Sequence, residues 1–178
     1  MAGFTNSSNN FPGTAGGAQP GYGGNTDAFV SRLNEGLTQL VQSTYLGGSG
    51  HDEAWPIALS QGNVYVAGHT DSTNFPGTSR GAQPGYGGGE DAYVSLLSSD
   101  LTQLVQSTYL GGTGPDHASS IVVSGGNVYV AGRTESTNFP GTSGGAQPAF
   151  GEGVADAFVS LLSADLKAGI LYLPLILR

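Results

Sequence analysis

The hexapeptide Ser-Thr-Tyr-Leu-Gly-Gly occurs twice in this chain, at Ser43–Gly48 and Ser107–Gly112, and the spacing of 64 residues between the copies decides the fold. The same spacing links further motifs, Val-Tyr-Val-Ala-Gly at 64–68 and 128–132 and Asn-Phe-Pro-Gly-Thr at 74–78 and 138–142. Similarity at a fixed period indicates stacked copies of one supersecondary unit, none of which can bury its apolar surface alone.

One complete unit is predicted to contain four short strands. Gln61-Gly62-Asn63 has the composition of a tight turn, and the long connection from His69 to Glu90 is rich in Gly and Pro. The predicted strands of this unit are 55–60, 64–67, 91–97 and 101–110. No window of useful length carries the apolar period of a helix.

Four antiparallel strands per unit are the content of one β-propeller blade. In the third predicted strand, one side carries Ala92, Val94 and Leu96, and the other carries Tyr93 and Leu97. Both faces of the sheet are therefore apolar, as expected when a sheet is covered on both sides. An all-β array of β-propeller-type blades is favoured over a sandwich, chiefly because the unit repeats.

The repeat divides the chain into an incomplete first unit (1–50), a complete second unit (51–114) and a third unit (115–178) with a divergent last strand. The first unit lacks its first strand, because Met1-Ala2-Gly3 aligns with Val66-Ala67-Gly68. Just under three blades cannot close into a propeller, which typically has four to eight. The two ends should expose apolar faces and drive self-association into a ring or a filament.

Several short motifs, found in one order along the chain, resemble the SBBP family of β-propeller repeats. They are Ser-Thr-Tyr-Leu-Gly-Gly, the Gly-x-Asp after it, Gly-Asn-Val-Tyr-Val-Ala-Gly-x-Thr, Asn-Phe-Pro-Gly-Thr and Asp-Ala-Phe/Tyr-Val-Ser-x-Leu. The resemblance covers nearly the whole chain and implies an extracellular or cell-surface setting in bacteria. It implies no catalytic residues.

Composition excludes several classes of function. The net charge is −8 and the five basic residues are scattered, which argues against binding nucleic acid or an anionic membrane surface. Cys is absent, and no stretch of about 18 apolar residues predicts a membrane span. Residues 1–10 do not have the pattern of a signal peptide, so we expect an intracellular protein or a mature form or fragment of a secreted one.

The C-terminal segment is almost wholly apolar and is a candidate for self-association. It contains Ile170, Leu171, Tyr172, Leu173, Leu175, Ile176 and Leu177. Pro174 favours an edge position for this strand. Two interpretations stay open: an outermost strand of its own sheet, or a strand that pairs with the incomplete first unit of another copy.

Recurring carboxylates are weak candidates for Ca²⁺ binding. They are Asp27, Asp91 and Asp156 before the third strand, and Asp52 and Asp116 after the Gly-rich turn. One carboxylate per site is too few for a calcium cage, so a structural role in turns is favoured and no cofactor is expected. The histidines His51, His69 and His117 are expected in solvated loops, since none has a nucleophile or a recognised motif beside it.

The Gly-rich loops display an aromatic residue and an amide in register. The aromatics are Tyr22, Tyr86 and Phe150, and the amides are Gln19, Gln83 and Gln147. This arrangement has two interpretations. Either the aromatics are buried and fix their loops in place, or the aromatics and amides form a site that contacts glycans. Trp55 has no aromatic counterpart in the next unit. The sequence as a whole predicts a non-catalytic interaction module, with a carbohydrate-binding module as the alternative.

Overall fold

The fold is all-β, with three antiparallel sheets that follow one another along the chain. The computed structural model describes residues 1–8, 10–151, 153–167 and 172–177, the last range as backbone only. The first sheet has the order β1-β2-β3, with β1 at Ala2–Thr5, β2 at Asp27–Leu33 and β3 at Leu40–Leu46. The predicted all-β architecture of blades that do not close is thereby confirmed.

The other two sheets have four strands each, in the order β4-β5-β6-β7 and β8-β9-β10-β11. The second sheet contains β4 at Asp52–Ser60, β5 at Asn63–Thr70, β6 at Asp91–Ser98 and β7 at Leu104–Leu110. The third contains β8 at Asp116–Ser124, β9 at Asn127–Thr134, β10 at Asp156–Ser163 and β11 at Tyr172–Leu177. One short 3-10 turn lies at Thr78–Arg80. Among the described residues, no helix has the length and apolarity that a membrane crossing requires.

The turns explain where the strands begin and end. Gln61 and Gly62 have φ of 49° and 74°, and they join β4 to β5 in a two-residue hairpin that suits the twist of the strands. The first strands begin earlier than predicted, at Asp52 and Asp116, because these residues pair with Thr70 and Thr134.

The fourth strands begin later than predicted. Leu101 has a φ of 62°, outside the extended region, and its N–H bonds the Ser98 carbonyl at 3.0 Å. The predicted strand 101–110 is therefore β7 at Leu104–Leu110, and the equivalent strand of the first unit is β3 at Leu40–Leu46. A turn that places a leucine in the left-handed region cannot be read from apolar spacing.

The middle sheet is covered on both faces, as the sequence predicts. Its Val66 and Tyr93 pack with Val30 of the first sheet in one apolar cluster. Its Tyr65 and Val94 belong to a second cluster, which they share with the third sheet. The strands that begin the second and third units, β4 and β8, lie next to each other, and β1 lies next to β4.

Leu101 and Leu37 occupy equivalent turns but differ in burial, which gives a test of the stacking. Leu101→Ala should lower the free energy of unfolding by about 2–5 kcal/mol, since the buried side chain leaves a cavity between sheets. Leu37→Ala, at an exposed position, should change it by less than about 0.5 kcal/mol. Urea unfolding at low protein concentration measures both. Equal losses would contradict the proposed contribution of stacking.

Candidate functional site

The two outer sheets each have a neighbouring sheet on one face only, and residues at equivalent positions differ in exposure. Leu101 and Leu166 are 1% and 0% exposed, because each packs beneath the preceding unit. Leu37, the equivalent residue of the first unit, is 76% exposed. We call the uncovered surface around Leu37 the head face.

The third sheet has the complementary open surface. Tyr65 is 4% exposed and its hydroxyl donates to the Ala164 carbonyl of the next unit at 3.0 Å. Tyr129 is its equivalent one unit later, and it is 41% exposed. We call the surface around Tyr129 the tail face.

Backbone hydrogen bonds connect consecutive units at the same position each time. The Ala18 N–H donates to the Leu101 carbonyl at 2.8 Å, and the Ala82 N–H donates to the Leu166 carbonyl at 2.9 Å. The next donor in the series is Ala146, and the preceding acceptor is Leu37. Neither makes such a bond within the described residues. The chain makes this contact between units twice internally. The head face has the acceptor side of the contact and the tail face has the donor side, and neither is bonded to its counterpart in the part of the chain that the structure describes.

The predicted self-association segment falls partly within the structure. Ile170 and Leu171 lie outside the described residues. The range 172–177, with Tyr172, Leu173, Leu175, Ile176 and Leu177, forms β11, which pairs antiparallel with β10 at the edge of its own sheet. This agrees with the outermost-strand interpretation. A role of the segment in association with another copy stays a prediction.

The candidate calcium residues form carboxylate pairs at the junctions between units. Asp27 approaches Asp52 across Gly47, and Asp91 approaches Asp116 across Gly111. The Asp91 carboxylate accepts the Gly87 N–H at 2.8 Å, and Asp116 accepts the Gly112 N–H at 2.7 Å. The carboxylates therefore hold Gly-rich loops in place, which supports the structural interpretation.

The remaining members of this set are bonded in the same manner. Asp27 accepts the Gly23 N–H at 2.8 Å, and Asp52 accepts the Gly48 N–H at 2.8 Å. Asp156 accepts the Gly151 N–H at 2.5 Å despite the residue inserted before it. Ca²⁺ binding by these residues stays a prediction.

Burial changes the acidity of the paired carboxyls. It raises the pKa of Asp91 to about 7, and the charge of Asp116 adds to the rise. Burial likewise raises the pKa of Asp52 to about 6, although hydrogen bonds from Thr70, Gly48 and Ser72 oppose it. The pKa values of Asp27 and Asp116 are raised for the same reason.

The loop aromatics and amides are engaged within their own loops. The hydroxyls of Tyr22 and Tyr86 donate to the Asn25 and Gly89 carbonyls. Phe150 is half-buried. These contacts favour the interpretation that the aromatics fix the loops.

The amides bond the ends of the strands. Gln19 donates to the Gly47 carbonyl at 3.0 Å and accepts the Gly47 N–H at 3.0 Å, and Gln83 does the same with Gly111. Gln147 donates to the Ala149 carbonyl at 3.2 Å. In the first two loops both amides are engaged in these hydrogen bonds, so they do not support the predicted contact with glycans. That contact stays a prediction.

The expectation of solvated loop histidines is wrong for two of the three. His69 lies in β5 and His117 in β8, and their rings stack with centroids 4.2 Å apart between the second and third sheets. Glu90, which precedes β6, contacts His117. No sequence pattern predicts this cluster, because its members come from two units and occupy unrelated positions in the repeat. His51 is exposed, as expected.

Burial and the neighbouring His117 lower the pKa of His69. Trp55 is largely exposed on β4, where its ring centroid lies 5.8 Å from that of Phe4. It also lines a cavity of about 300 Å³ together with His69, His117, Ala118 and Ser119.

No family model matches the chain, and no curated protein matches it. The resemblance to SBBP repeats therefore stays a prediction.

The position between each carboxylate pair has no room for a side chain, so it requires glycine. A methyl group at Gly111 would lie 2.7 Å from both the Asp91 Cγ and the Asp116 Oδ2. Gly111→Ala should therefore lower the free energy of unfolding by about 1–3 kcal/mol through overpacking. Gly85→Ala is the control, because a methyl group there meets no atom within 4 Å. Thermal unfolding of both variants checks this, and equal midpoints would refute it.

The raised pKa values predict a dependence of stability on pH. Between about pH 4 and pH 7 the folded state keeps protons on Asp91 that the unfolded state has lost, so the free energy of unfolding falls as pH rises. Asp91→Asn should make this decline shallower, because the amide stays neutral. Asp100→Asn is the control, since the pKa of that exposed carboxyl is lowered to about 2.

Unfolding in urea at pH 5 and pH 7 measures the effect for each variant. The comparison with Asp91→Asn also separates Asp91 from His69, whose lowered pKa acts in the opposite direction below its ordinary value of 6.5. An identical pH dependence in the wild-type chain and Asp91→Asn would contradict the prediction.

Proposed function

We propose that this protein is a non-catalytic, extracellular module of β-propeller-type repeats that associates head to tail with copies of itself. The exposure of Leu37, at a position that is buried in both later units, carries the proposal. The surface that best fits the head face is the tail face of another copy. Inside one chain, the surfaces equivalent to these two faces already pack against each other.

The internal contacts specify what the contact between copies would contain. Tyr129 would donate to the Glu35 carbonyl of the next copy, as Tyr65 donates to the equivalent Ala164. The Ala146 N–H would donate to the Leu37 carbonyl, as Ala18 does to Leu101. Leu37 would be buried as Leu101 is.

Such a contact is heterologous, because each copy uses a different surface on its two sides. Heterologous contacts produce a closed ring if the rotation closes and a filament if it does not. Just under three blades per chain means that two chains supply close to six, which falls within the range of closed propellers. The association therefore yields either a dimeric ring or a longer filament.

The proposal predicts that single charges on either face abolish assembly. Leu37→Asp blocks the head face and Tyr129→Asp blocks the tail face, because each would bury a carboxylate without a partner. Size-exclusion chromatography with light scattering should show monomers for each variant alone. Val105→Asp is the matched control, since Val105 is an exposed apolar residue on the middle sheet and should leave assembly intact.

Mixing the two blocked variants tests the polarity of the contact. Leu37→Asp keeps an intact tail face and Tyr129→Asp keeps an intact head face, so the mixture should form dimers and nothing larger. A wild-type chain that stays monomeric at millimolar concentration would refute self-association. Assemblies that survive both substitutions would refute these faces as the interface.

A further inference from the structure

Three side chains with metal-ligating atoms converge in the groove between the second and third sheets. They are His69, Glu90 and His117, and their candidate ligand atoms all lie within 4.8 Å of one another. His69 and Glu90 come from the second unit, and His117 comes from the third. The groove thus brings together two imidazoles and one carboxylate from both sides of a junction between units.

The fold fixes the backbone of all three residues. His69 lies in β5 and pairs with Ala92 of β6, and His117 lies in β8 and pairs with Arg133 of β9. The Glu90 carbonyl accepts the Asp116 N–H at 2.6 Å, which ties Glu90 to the start of β8. Two of the three ligands are therefore carried on paired strands, and the third, Glu90, is held at the end of its loop by this backbone hydrogen bond.

The side chains form a hydrogen-bonded His117–Glu90 pair with the His69 ring stacked on His117. The rings stack at 4.2 Å with an angle of 21° between their planes, and His117 Nε2 lies 2.5 Å from Glu90 Oε2. Tetrahedral Zn²⁺ with bonds of about 2.0–2.2 Å requires ligand atoms about 3.3 Å apart. Binding would therefore require His117 and Glu90, which are both partly exposed, to move apart by rotation.

An ion pair between His117 and Glu90 does not explain the environment of His69. Its Nδ1 is buried and has no hydrogen-bond partner within the described residues. Its Nε2 lies 3.9 Å from Glu53 Oε2, too far for a hydrogen bond. The pair formed by His117 and Glu90 is complete without His69, so the stacked second imidazole has unused ligating capacity.

The equivalent groove between the first and second sheets has no such set. It holds Phe4 at the position of His69, Thr26 at that of Glu90 and Glu53 at that of His117. Phe4 packs against Trp55 instead. The cluster is therefore not a consequence of the repeat, and all three of its residues differ from their counterparts at once.

We propose that His69, Glu90 and His117 bind a divalent transition-metal ion, with Zn²⁺ the ion that best fits two imidazoles and one carboxylate. The cavity of about 300 Å³ beside the two rings leaves room for a water molecule as the fourth ligand. Because the ligands come from two units, the ion links the second and third sheets. This inference does not depend on self-association.

The test uses the full chain after dialysis against EDTA. Isothermal titration with ZnCl₂ should give one ion per chain, and Zn²⁺ should raise the midpoint of thermal unfolding. Co²⁺ should give the visible absorption of a site with nitrogen and oxygen ligands. His117→Gln and Glu90→Gln should each weaken Zn²⁺ binding at least tenfold and abolish the thermal shift, while their circular dichroism without metal matches that of the wild type.

His51→Gln is the matched control, since it removes the one histidine outside the cluster and should leave Zn²⁺ binding unchanged. Absence of Zn²⁺ binding at micromolar concentration would overturn the proposal. Binding that is unchanged in both cluster variants, or lost in His51→Gln, would overturn it as well. Stabilisation by Ca²⁺ but not Zn²⁺ would assign the ion to the carboxylate pairs instead.

Discussion

The burial of apolar side chains between consecutive sheets is the interaction on which the rest of this structure depends. Each sheet has two apolar faces, so a sheet is most stable when both are covered. The second sheet meets this requirement, with Tyr93 and Val66 facing one neighbour and Tyr65 and Val94 facing the other. The outer sheets meet it on one side only. The architecture that stabilises the middle of the chain therefore leaves unsatisfied surface at each end.

The hydrogen bonds at the junctions make the stacking specific. Apolar faces alone would slide past one another, since hydrophobic burial is not directional. The bond from Ala18 to Leu101, the pair of Asp91 and Asp116 around Gly111, and the hydroxyl of Tyr65 fix the position of each sheet relative to the next. The backbone bond and the carboxylate pair recur at both junctions, so the contact between units has one geometry. Under the proposed self-association, a copy that docks on an open face would use the same geometry.

The sequence predicts the repeat, the four strands per unit and the two apolar faces well, because these depend on local composition and a fixed period. It does not predict the left-handed turn at Leu101, whose conformation depends on a bond to the Ser98 carbonyl. It also does not predict the meeting of His69 with His117. These residues belong to different units, and only the distance and rotation between sheets bring them together. Contacts between units are the part of the structure that a repeat pattern cannot supply.

The two junctions share one backbone arrangement but have different side chains in their grooves. The first is filled by Phe4 and Trp55, an apolar contact at the surface, and the second by two imidazoles and a carboxylate. An apolar contact stabilises its junction at any metal concentration, whereas a metal link would do so only when the ion is bound. A junction that responds to an ion would alter the angle or rigidity between the second and third sheets, and under the proposed self-association that angle would decide whether copies close into a ring. The chemistry of one groove would in this way bear on the form of the whole assembly.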